Sequence, residues 1–209
     1  MDKRIFYLLF FFVFSFTHTF AQETNRYYKK KYRNLSFTTT TMRQNNAPDL
    51  KSNYGAAFTV GRTFYLHKNS IARMLRFGID ATWFDLNYAN YKIEHITHWE
   101  TNEYDYHQGE VSMQVGPSVV LNPVSKLNIH AYFRYTPTFS VLYADDTFYG
   151  NYATLFVGGG SVSYGVIGVG IESRFGSCNY KEFDIDKEED SGTMKKKLSG
   201  WRAYVTFRF

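Results

Sequence analysis

The sequence closes on the stretch Trp201-Arg202-Ala203-Tyr204-Val205-Thr206-Phe207-Arg208-Phe209, in which apolar and polar residues alternate without a break. Side chains of a β-strand point alternately to opposite faces, so this period of two predicts a strand with one apolar wall and one polar wall. The apolar wall carries Trp201, Ala203, Val205, Phe207 and Phe209. Chain ends of soluble domains usually fray into water, so an apolar face at this end predicts contact with lipid.

The same alternation recurs in the middle of the chain. Leu75 to Trp83, Val111 to Leu121 and Leu127 to Tyr135 each place their apolar residues on one face. The phase of the first stretch slips at Phe84, where we expect a β-bulge. No charged side chain lies on the apolar face of the other two stretches or of the closing one. Lipid contact requires this pattern, and it predicts an all-β fold.

The first 21 residues have the layout of a secretory signal peptide. A basic start precedes an apolar run from Ile5 to Phe16, and Ala21 is the expected residue before the cleavage point. The alternative is a membrane anchor, but about 12 apolar residues are too few to span a bilayer as a helix. We therefore predict three segments: a signal peptide (1–21), a basic N-terminal segment (22–32) and a β-barrel that crosses a membrane (33–209).

Composition agrees with a membrane protein that crosses by strands. No later apolar run approaches the roughly 20 residues that a transmembrane helix needs, and the mean hydropathy of the chain is −0.38. Aromatic residues make up 20% of the sequence, which suits belts at two membrane interfaces. The single Cys178 excludes an internal disulfide framework and is expected to be a turn residue. The net charge of +5 comes largely from lysine clusters, and we expect no nucleic-acid partner for an exported chain.

The connections between strands alternate in length, as barrel turns and loops do. Short turns are predicted at His67 to Ser70, Asn122 to Ser125, and Gly176 to Cys178. Long polar loops are predicted at Met42 to Ser52, Lys92 to His107, Ala144 to Tyr152, and Lys187 to Met194. With strands at Ser163 to Phe175 and, weakly, at Asn179 to Asp186, the pattern predicts an eight-stranded antiparallel up-and-down transmembrane β-barrel. A ten-stranded barrel, split around Tyr152 to Gly160, is the alternative.

The signal peptide, the alternating strands and the ending Val205-Thr206-Phe207-Arg208-Phe209 resemble the small outer-membrane β-barrels of the OmpA/OmpX kind. The Ala21-Gln22 junction and the abundance of tyrosine and lysine are similar to the outer-membrane β-barrel domain proteins of Bacteroidetes, which include the PorT-like proteins. The resemblance implies a location in the outer membrane and contact with its lipid. It also implies that the barrel assembly machinery reads the closing strand at Trp201, Val205, Phe207 and Phe209.

Charged side chains fall on the inward phase of the predicted strands: Arg76, Asp80, Glu110, His130, Arg134, Glu172, Arg174, Arg202 and Arg208. Eight strands leave an interior just wide enough for side chains, and unpaired charges there would be costly. We therefore expect an ion-paired network that plugs the barrel. The alternative is a narrow pore, which the excess of arginine would make anion-preferring.

Other functions have weaker support in the residues. His130 lies on a strand, but no spacing near it singles out a catalytic triad, so we expect no enzyme and no cofactor. His95, His98 and His107 share one loop with carboxylates and are weak candidates for a metal site. The tyrosine-rich loops suit contact with an extracellular protein. The PorT-like resemblance adds a role as accessory component of a secretion or transport assembly.

Overall fold

Eight β-strands form one closed antiparallel barrel in which β8 pairs with β1. The computed structural model describes residues 28–43, 49–96, 101–144, 147–182 and 194–209. The strands are β1 (Lys31–Arg43), β2 (Leu50–Tyr65), β3 (Leu75–Ile96), β4 (Thr101–Val124), β5 (Leu127–Ala144), β6 (Thr147–Tyr164), β7 (Ile167–Glu182) and β8 (Met194–Arg208). The eight-stranded up-and-down barrel is confirmed. The ten-stranded alternative is wrong, because residues 152–160 all lie within β6.

Side chains alternate between a lipid-facing outer wall and the interior. In β8, the alternation holds from Trp201 to Phe209, with the apolar residues exposed and Arg202, Tyr204, Thr206 and Arg208 buried. Because a polar chain can cross a lipid layer only if its backbone hydrogen bonds are all made internally, closure of the sheet is what makes this sequence compatible with a membrane. None of the described residues forms a helix long and apolar enough to cross a membrane.

The two ends of the barrel differ. Both described chain ends lie at one end, where the backbone N–H of Lys31 donates to the carbonyl oxygen of Phe209 at 2.9 Å. The turns at Ser125–Lys126 and Gly165–Val166 and the 66–74 connection lie at this end as well. We call it the turn end, and it corresponds to the periplasmic side of such barrels. The opposite end, with connections at 44–48, 97–100, 145–146 and 183–193, is the loop end.

Two predictions about β6 and β7 are wrong. Ser163 to Phe175 is not one strand, because Gly165 and Val166 form the turn between β6 and β7. Gly176 to Cys178 is not a turn but part of β7, which continues through Asn179 to Glu182. The hydrophobic periodicity does not reveal this part of β7, because several of its residues are small. Gly176 lies against Leu155 on β6, and a Cβ on Gly176 would collide with that side chain.

The long polar loops are also shorter than predicted. β3 continues to Ile96 and β4 begins at Thr101, so most of the loop from Lys92 to His107 is strand. Only residues 145–146 separate β5 from β6. Polar residues do not end a strand that has left the lipid, because cross-strand hydrogen bonds continue there. β1 begins at Lys31, two residues before the predicted barrel start, and the predicted signal peptide lies outside the described residues.

A β-bulge in β3 occurs where the phase slip predicted it. Trp83 and Phe84 are consecutive and both exposed on the outer wall, and the pairing of β3 with β4 shifts between Thr82 and Asp85. The bulge exchanges the two faces of the strand. Between the turn end and the bulge, even-numbered residues such as Asp80 face the interior. Between the bulge and the loop end, odd-numbered residues such as Asp85 do so.

Gly165 allows the tight turn between β6 and β7, because its φ of +64° lies in the left-handed region. Replacement by alanine is expected to lower the free energy of unfolding by about 1 kcal/mol, since a Cβ is disfavoured in this conformation. Urea titration of the folded barrel in detergent micelles measures this change. Gly109 is the matched control, because a Cβ there also meets open space but the backbone is ordinary strand. An equal loss for Gly109→Ala would contradict the role of the backbone angle.

The interior is filled in two layers. The polar layer occupies the middle of the barrel and contains the buried charged residues Asp80, Asp85, Glu110, His130, Arg134, Glu172, Arg174, Arg202 and Arg208. The apolar layer lies nearer the loop end and contains Met42, Ala89, Tyr91, Leu142, Ala144, Ala153, Leu155, Cys178, Tyr180 and Leu198.

Candidate functional site

Arg202 is the central cation of the polar layer. Its Nη1 lies 3.0 Å from both Oδ1 and Oδ2 of Asp85 and 3.2 Å from Oε1 of Glu172. Asp85 also accepts from Gln114 at 2.7 Å and from Thr59 at 3.2 Å. β8, β3 and β7 supply the three charged groups, so Arg202 links strands that are far apart in the sequence. Its side chain is 0% exposed, so this ion pair is screened by protein and not by bulk water.

A second cluster lies nearer the turn end and centres on Asp80. Arg134 Nη2 donates to Asp80 Oδ2 at 2.6 Å, and His130 Nε2 lies 3.2 Å from the same oxygen. Arg208 Nη2 lies 2.7 Å from His130 Nδ1. Because a guanidinium only donates, Nδ1 is the accepting nitrogen and the proton of a neutral ring is on Nε2, facing Asp80. His130 therefore accepts a hydrogen bond from Arg208 and places its other ring nitrogen beside Asp80, without a well-aligned hydrogen bond to it.

Tyrosine rings enclose the guanidinium of Arg134. Its Cζ lies 3.5 Å from the ring centroid of Tyr132 and 5.4 Å from that of Tyr32. The Tyr132 hydroxyl donates to Glu172 at 2.6 Å and shares a 2.9 Å hydrogen bond with Tyr204. The guanidinium thus has a carboxylate at its edge and aromatic faces on its sides, an arrangement that stabilises a buried cation. The tyrosines also fill the width between opposite walls of the barrel.

The hydroxyl ends of two of these tyrosine rings lie close to glycines of neighbouring strands. A Cβ on Gly170 would lie 2.3 Å from the Tyr204 ring, and one on Gly61 would lie 2.4 Å from the Tyr32 ring. The glycines therefore make room for rings that no other residue at these positions would allow. This explains why a glycine-rich strand such as β7 belongs to a well-packed barrel.

The third cluster joins the polar layer to the apolar layer. Arg174 Nη1 lies 2.7 Å from Glu110 Oε2. Gln108 donates to Glu110 at 3.1 Å and accepts from the hydroxyl of Tyr91 at 2.5 Å. The Tyr180 hydroxyl lies 3.0 Å from Gln108 Nε2. Tyr91 and Tyr180 belong to the apolar layer, so their hydroxyl groups face the charges while their rings pack with aliphatic side chains beyond.

The structure brings eight of the nine residues of the predicted interior network into the polar layer. Arg76 does not join them. It lies at the turn end, where it donates to the carbonyl oxygen of Lys68 at 2.6 Å and its Cζ lies 3.9 Å from the Tyr28 ring centroid. The alternation along the strand therefore predicts correctly that Arg76 faces inward, but it does not predict where Arg76 lies along the barrel axis.

Sequence reasoning missed Asp85, and with it the charge balance of the interior. The polar layer contains the four carboxylates Asp80, Asp85, Glu110 and Glu172 and the four arginines Arg134, Arg174, Arg202 and Arg208, so its formal charges balance. The excess of arginine that suggested an anion path is therefore absent from this layer. The phase slip at Phe84 could have identified Asp85 as an inward residue, because a bulge at Phe84 turns the next side chain to the interior.

Cys178 lies in the apolar layer and is not a turn residue. Its thiol is within 3.8 Å of the carbonyl oxygen of Asn151 and is 1% exposed. Its neighbours in the layer include Leu155 and Leu198. Cysteine behaves here as a small apolar residue that fills space between larger ones.

The weak metal candidates do not come together within the described residues. His107 lies on the outer wall near the loop end, where its ring stacks between Tyr88 and Tyr143 at centroid distances of 6.1 and 6.4 Å. Its Nδ1 shares a 2.8 Å hydrogen bond with the Tyr88 hydroxyl. His98 and the side chain of His95 lie outside the described residues. The described part of the chain contains no group of three His, Cys, Asp or Glu side chains placed to hold a metal ion.

The β3–β4 hairpin extends beyond the rest of the barrel at the loop end. The pairing of β3 with β2 stops at Tyr91, and the pairing of β4 with β5 stops at His107. β3 and β4 nevertheless continue to pair with each other from Lys92↔Asp105 to Ile96↔Thr101. We call residues 92–96 and 101–105 the projecting hairpin. No other described strand pairs with either of its edges.

Comparison with known proteins supports the fold only. No protein-family model and no curated protein matches the chain. Among solved structures, Neisserial surface protein A superposes with a TM-score of 0.50 at 12% identity, over 86% of this chain and 97% of that one. This chain has the fold of the small outer-membrane β-barrels. The apolar outer wall of the barrel agrees with a place in the outer membrane.

Two further likenesses have different described activities. The outer membrane protease OmpT from Escherichia coli superposes with a TM-score of 0.50 at 8% identity, over 92% of this chain and 100% of that one. The attachment invasion locus protein Ail of Yersinia pestis gives 0.47 at 8% identity, over 87% and 100%. At 8% identity the likeness to OmpT bears on the fold of the barrel and not on its chemistry. The PorT-like resemblance stays a prediction.

Proposed function

We propose that this outer-membrane barrel is a closed, non-enzymatic scaffold that presents the projecting hairpin to a protein outside the cell. The observation that carries the proposal is that, beyond Tyr91 and His107, β3 and β4 pair with each other and with no other described strand. Exposed strand edges are templates for pairing with another chain. A barrel that only sealed or stiffened the membrane would not need strands that continue past their neighbours.

The closed interior supports a role at the surface and not in transport. Inward side chains of both layers are at most 6% exposed. Three arginines of the polar layer form ion pairs with its four carboxylates, and the fourth, Arg208, donates to His130. An ion entering this barrel would have to displace a buried ion pair, which is costly. The apolar layer adds a second barrier, since it would have to hydrate before an ion could pass.

The proposal that the barrel is not an enzyme rests on how its reactive groups are used. His130 lies between Arg208 and Asp80 and is 2% exposed. Ser140 is 0% exposed and shares a 2.7 Å hydrogen bond with Tyr180. Both groups hold neighbouring side chains in place within the packed interior, where no substrate can reach them without opening the barrel.

Export and assembly follow the proposed location. We propose that residues 1–21 are removed on export and that the barrel assembly machinery recognises the outer wall of β8. In support, Trp201, Val205, Phe207 and Phe209 are all exposed on that wall. An assembly factor can read this apolar face before lipid covers it.

Conductance across a planar bilayer separates a closed barrel from a pore. The purified barrel is expected to give no stable steps, because its inward charges are buried and balanced in sign and the apolar layer closes the interior beyond them. The variant Leu142→Ser/Leu155→Ser hydrates the apolar layer and leaves the polar layer intact, so it also should stay closed. Stable anion-selective steps from the unmodified barrel would overturn the proposal in favour of the pore.

A photo-crosslinking residue at Asp105 tests the docking role in whole cells. Asp105 is exposed on the projecting hairpin, and we expect it to form adducts with a protein outside the cell. Lys126, exposed in a turn at the opposite end, is the control position and reports only periplasmic neighbours. Adducts at both positions with the same secretion component would support the accessory alternative, and a lack of adducts at Asp105 would contradict the docking role.

A further inference from the structure

A cluster of cations lies on the outer wall at the turn end. Lys31 and Arg33 of β1 are exposed, and Arg62 of β2 pairs in register with Lys31. The Cζ of Arg33 lies 5.4 Å from the ring centroid of Phe209, and that of Arg62 lies 5.1 Å from that of Phe64. We call Lys31, Arg33 and Arg62 the basic cluster.

The basic cluster has little negative charge to balance it. None of its three side chains forms an ion pair with an Asp or Glu side chain among the described residues. The Nε of Arg62 is buried and makes no hydrogen bond within the described structure. The backbone N–H of Lys31 donates to the carbonyl oxygen of Phe209, so Phe209 lies beside the basic cluster. A carboxylate on Phe209 would add one negative charge beside three positive ones.

The position of the basic cluster matches the level of lipid headgroups. It lies where the apolar band of β1 begins, because the next outward residues along the strand are Leu35 and Phe37, at 63% and 57% exposure. A groove of about 370 Å³ borders Lys31, Arg62 and Phe209. Long basic side chains at such a boundary extend toward the headgroups while their stems cover apolar surface.

An apolar trough runs up the outer wall directly above the basic cluster. It has a volume of about 590 Å³ and is lined mainly by Leu35, Phe37, Ala56, Val169, Ala203 and Val205. Ala56 and Ala203 lie on either side of Phe37 in register. These two small residues make the trough, because most outward positions at this level carry larger side chains.

We propose that the seam between β2, β1, β8 and β7 holds one anionic phospholipid of the inner leaflet. The basic cluster binds its phosphate, and the trough holds an acyl chain. Arg33 and Leu35 are two residues apart on the same face, or about 7 Å along the strand, so the two parts of the site are continuous. Arginine pairs well with phosphate through its planar array of donors, and an acyl chain is the apolar group that a phospholipid attaches to that phosphate.

Native mass spectrometry of the full-length barrel released from detergent tests the site. Phosphatidylglycerol is the anionic probe, and phosphatidylcholine with the same acyl chains is the zwitterionic one. We expect one phosphatidylglycerol to be retained, and Arg33→Gln/Arg62→Gln to weaken its binding at least about tenfold, since each basic residue adds to attraction for an anionic lipid. The variant Lys68→Gln/Lys126→Gln removes two cations at the same end but away from the seam and should bind as the unmodified barrel does.

A second variant tests the trough independently of charge. Ala56→Leu/Ala203→Leu fills the trough and should also lower retention of phosphatidylglycerol, while heat-modifiable migration on a gel reports that the barrel still folds. Equal retention of both lipids would overturn the role of the basic cluster. Displacement of the bound lipid by millimolar inorganic phosphate would show a phosphate site without an acyl chain. A dimer lost on filling the trough would assign the seam to a second copy of the barrel.

Discussion

Arg202→Met is expected to lower the free energy of unfolding by about 3–5 kcal/mol, because it leaves two buried carboxylates without their cation. Asp85 and Glu172 lie within 3.2 Å of Arg202 Nη1 and are 1% and 5% exposed as side chains. Methionine keeps much of the volume, so the loss reports charge and not a cavity. Urea unfolding followed by tryptophan fluorescence measures it, since Trp83 and Trp201 both face the lipid.

The neighbouring carboxylates provide the decisive comparison for Arg202. In the variant Arg202→Met/Asp85→Asn/Glu172→Gln the uncompensated charges are gone, so most of the lost stability should return. Arg43→Met is the matched surface variant, because Arg43 pairs with Asp49 at 2.8 Å but is 59% exposed; it should cost less than about 1 kcal/mol. If Arg202→Met cost no more than Arg43→Met, the polar layer would not be the ion-paired interior described above.

Phe133→Arg is expected to lower the free energy of unfolding by about 2–4 kcal/mol, because it places a charge on the lipid face of the barrel. Phe133 is 47% exposed on the outer wall. Its ring stacks on Phe156 at a centroid distance of 5.9 Å and approaches Phe175 at 6.5 Å. The substitution therefore removes aromatic contacts and adds the cost of an ion in hydrocarbon. Unfolding from lipid vesicles of defined thickness measures the change.

Two variants separate the contributions at Phe133. Phe133→Leu keeps the position apolar and should cost less than half as much as arginine. Lys126→Arg changes a side chain that is exposed at the turn end and should be neutral within about 0.5 kcal/mol. Equal costs for Phe133→Leu and Phe133→Arg would mean that ring packing dominates and that the wall at this height does not contact lipid.

The sequence predicts the barrel well where the two walls differ most. In β5, apolar residues such as Phe133 alternate with polar ones such as Arg134, and the structure places them outside and inside. The alternation weakens where both faces carry small or polar residues, as in β7 around Gly176 and Cys178. There the strand is held by cross-strand pairing with β6, which no local pattern reveals. The strand bounds were missed for this physical reason.

The sequence predicts which residues face the interior but not how far along the barrel axis each one lies. The alternation of residues along each strand identifies Arg134, Arg174 and Arg202 as inward residues, but it does not predict which carboxylate each arginine contacts. Those pairings depend on the stagger between strands, which places Arg202 of β8 beside Asp85 of β3. The projecting hairpin was hidden for a related reason, because its existence depends on where β2 and β5 end and not on the sequence of β3 or β4 alone.

The contact between Arg202 and Asp85 joins residues 117 positions apart in the chain. A sheet that lacked β8 would therefore have two defects at once. The edges of β7 and β1 would be open, and Asp85 and Glu172 would have lost the cation that lies between them. β8 supplies the missing hydrogen-bond partners and the missing positive charge together, so charge balance at the centre of the barrel depends on closure of the sheet.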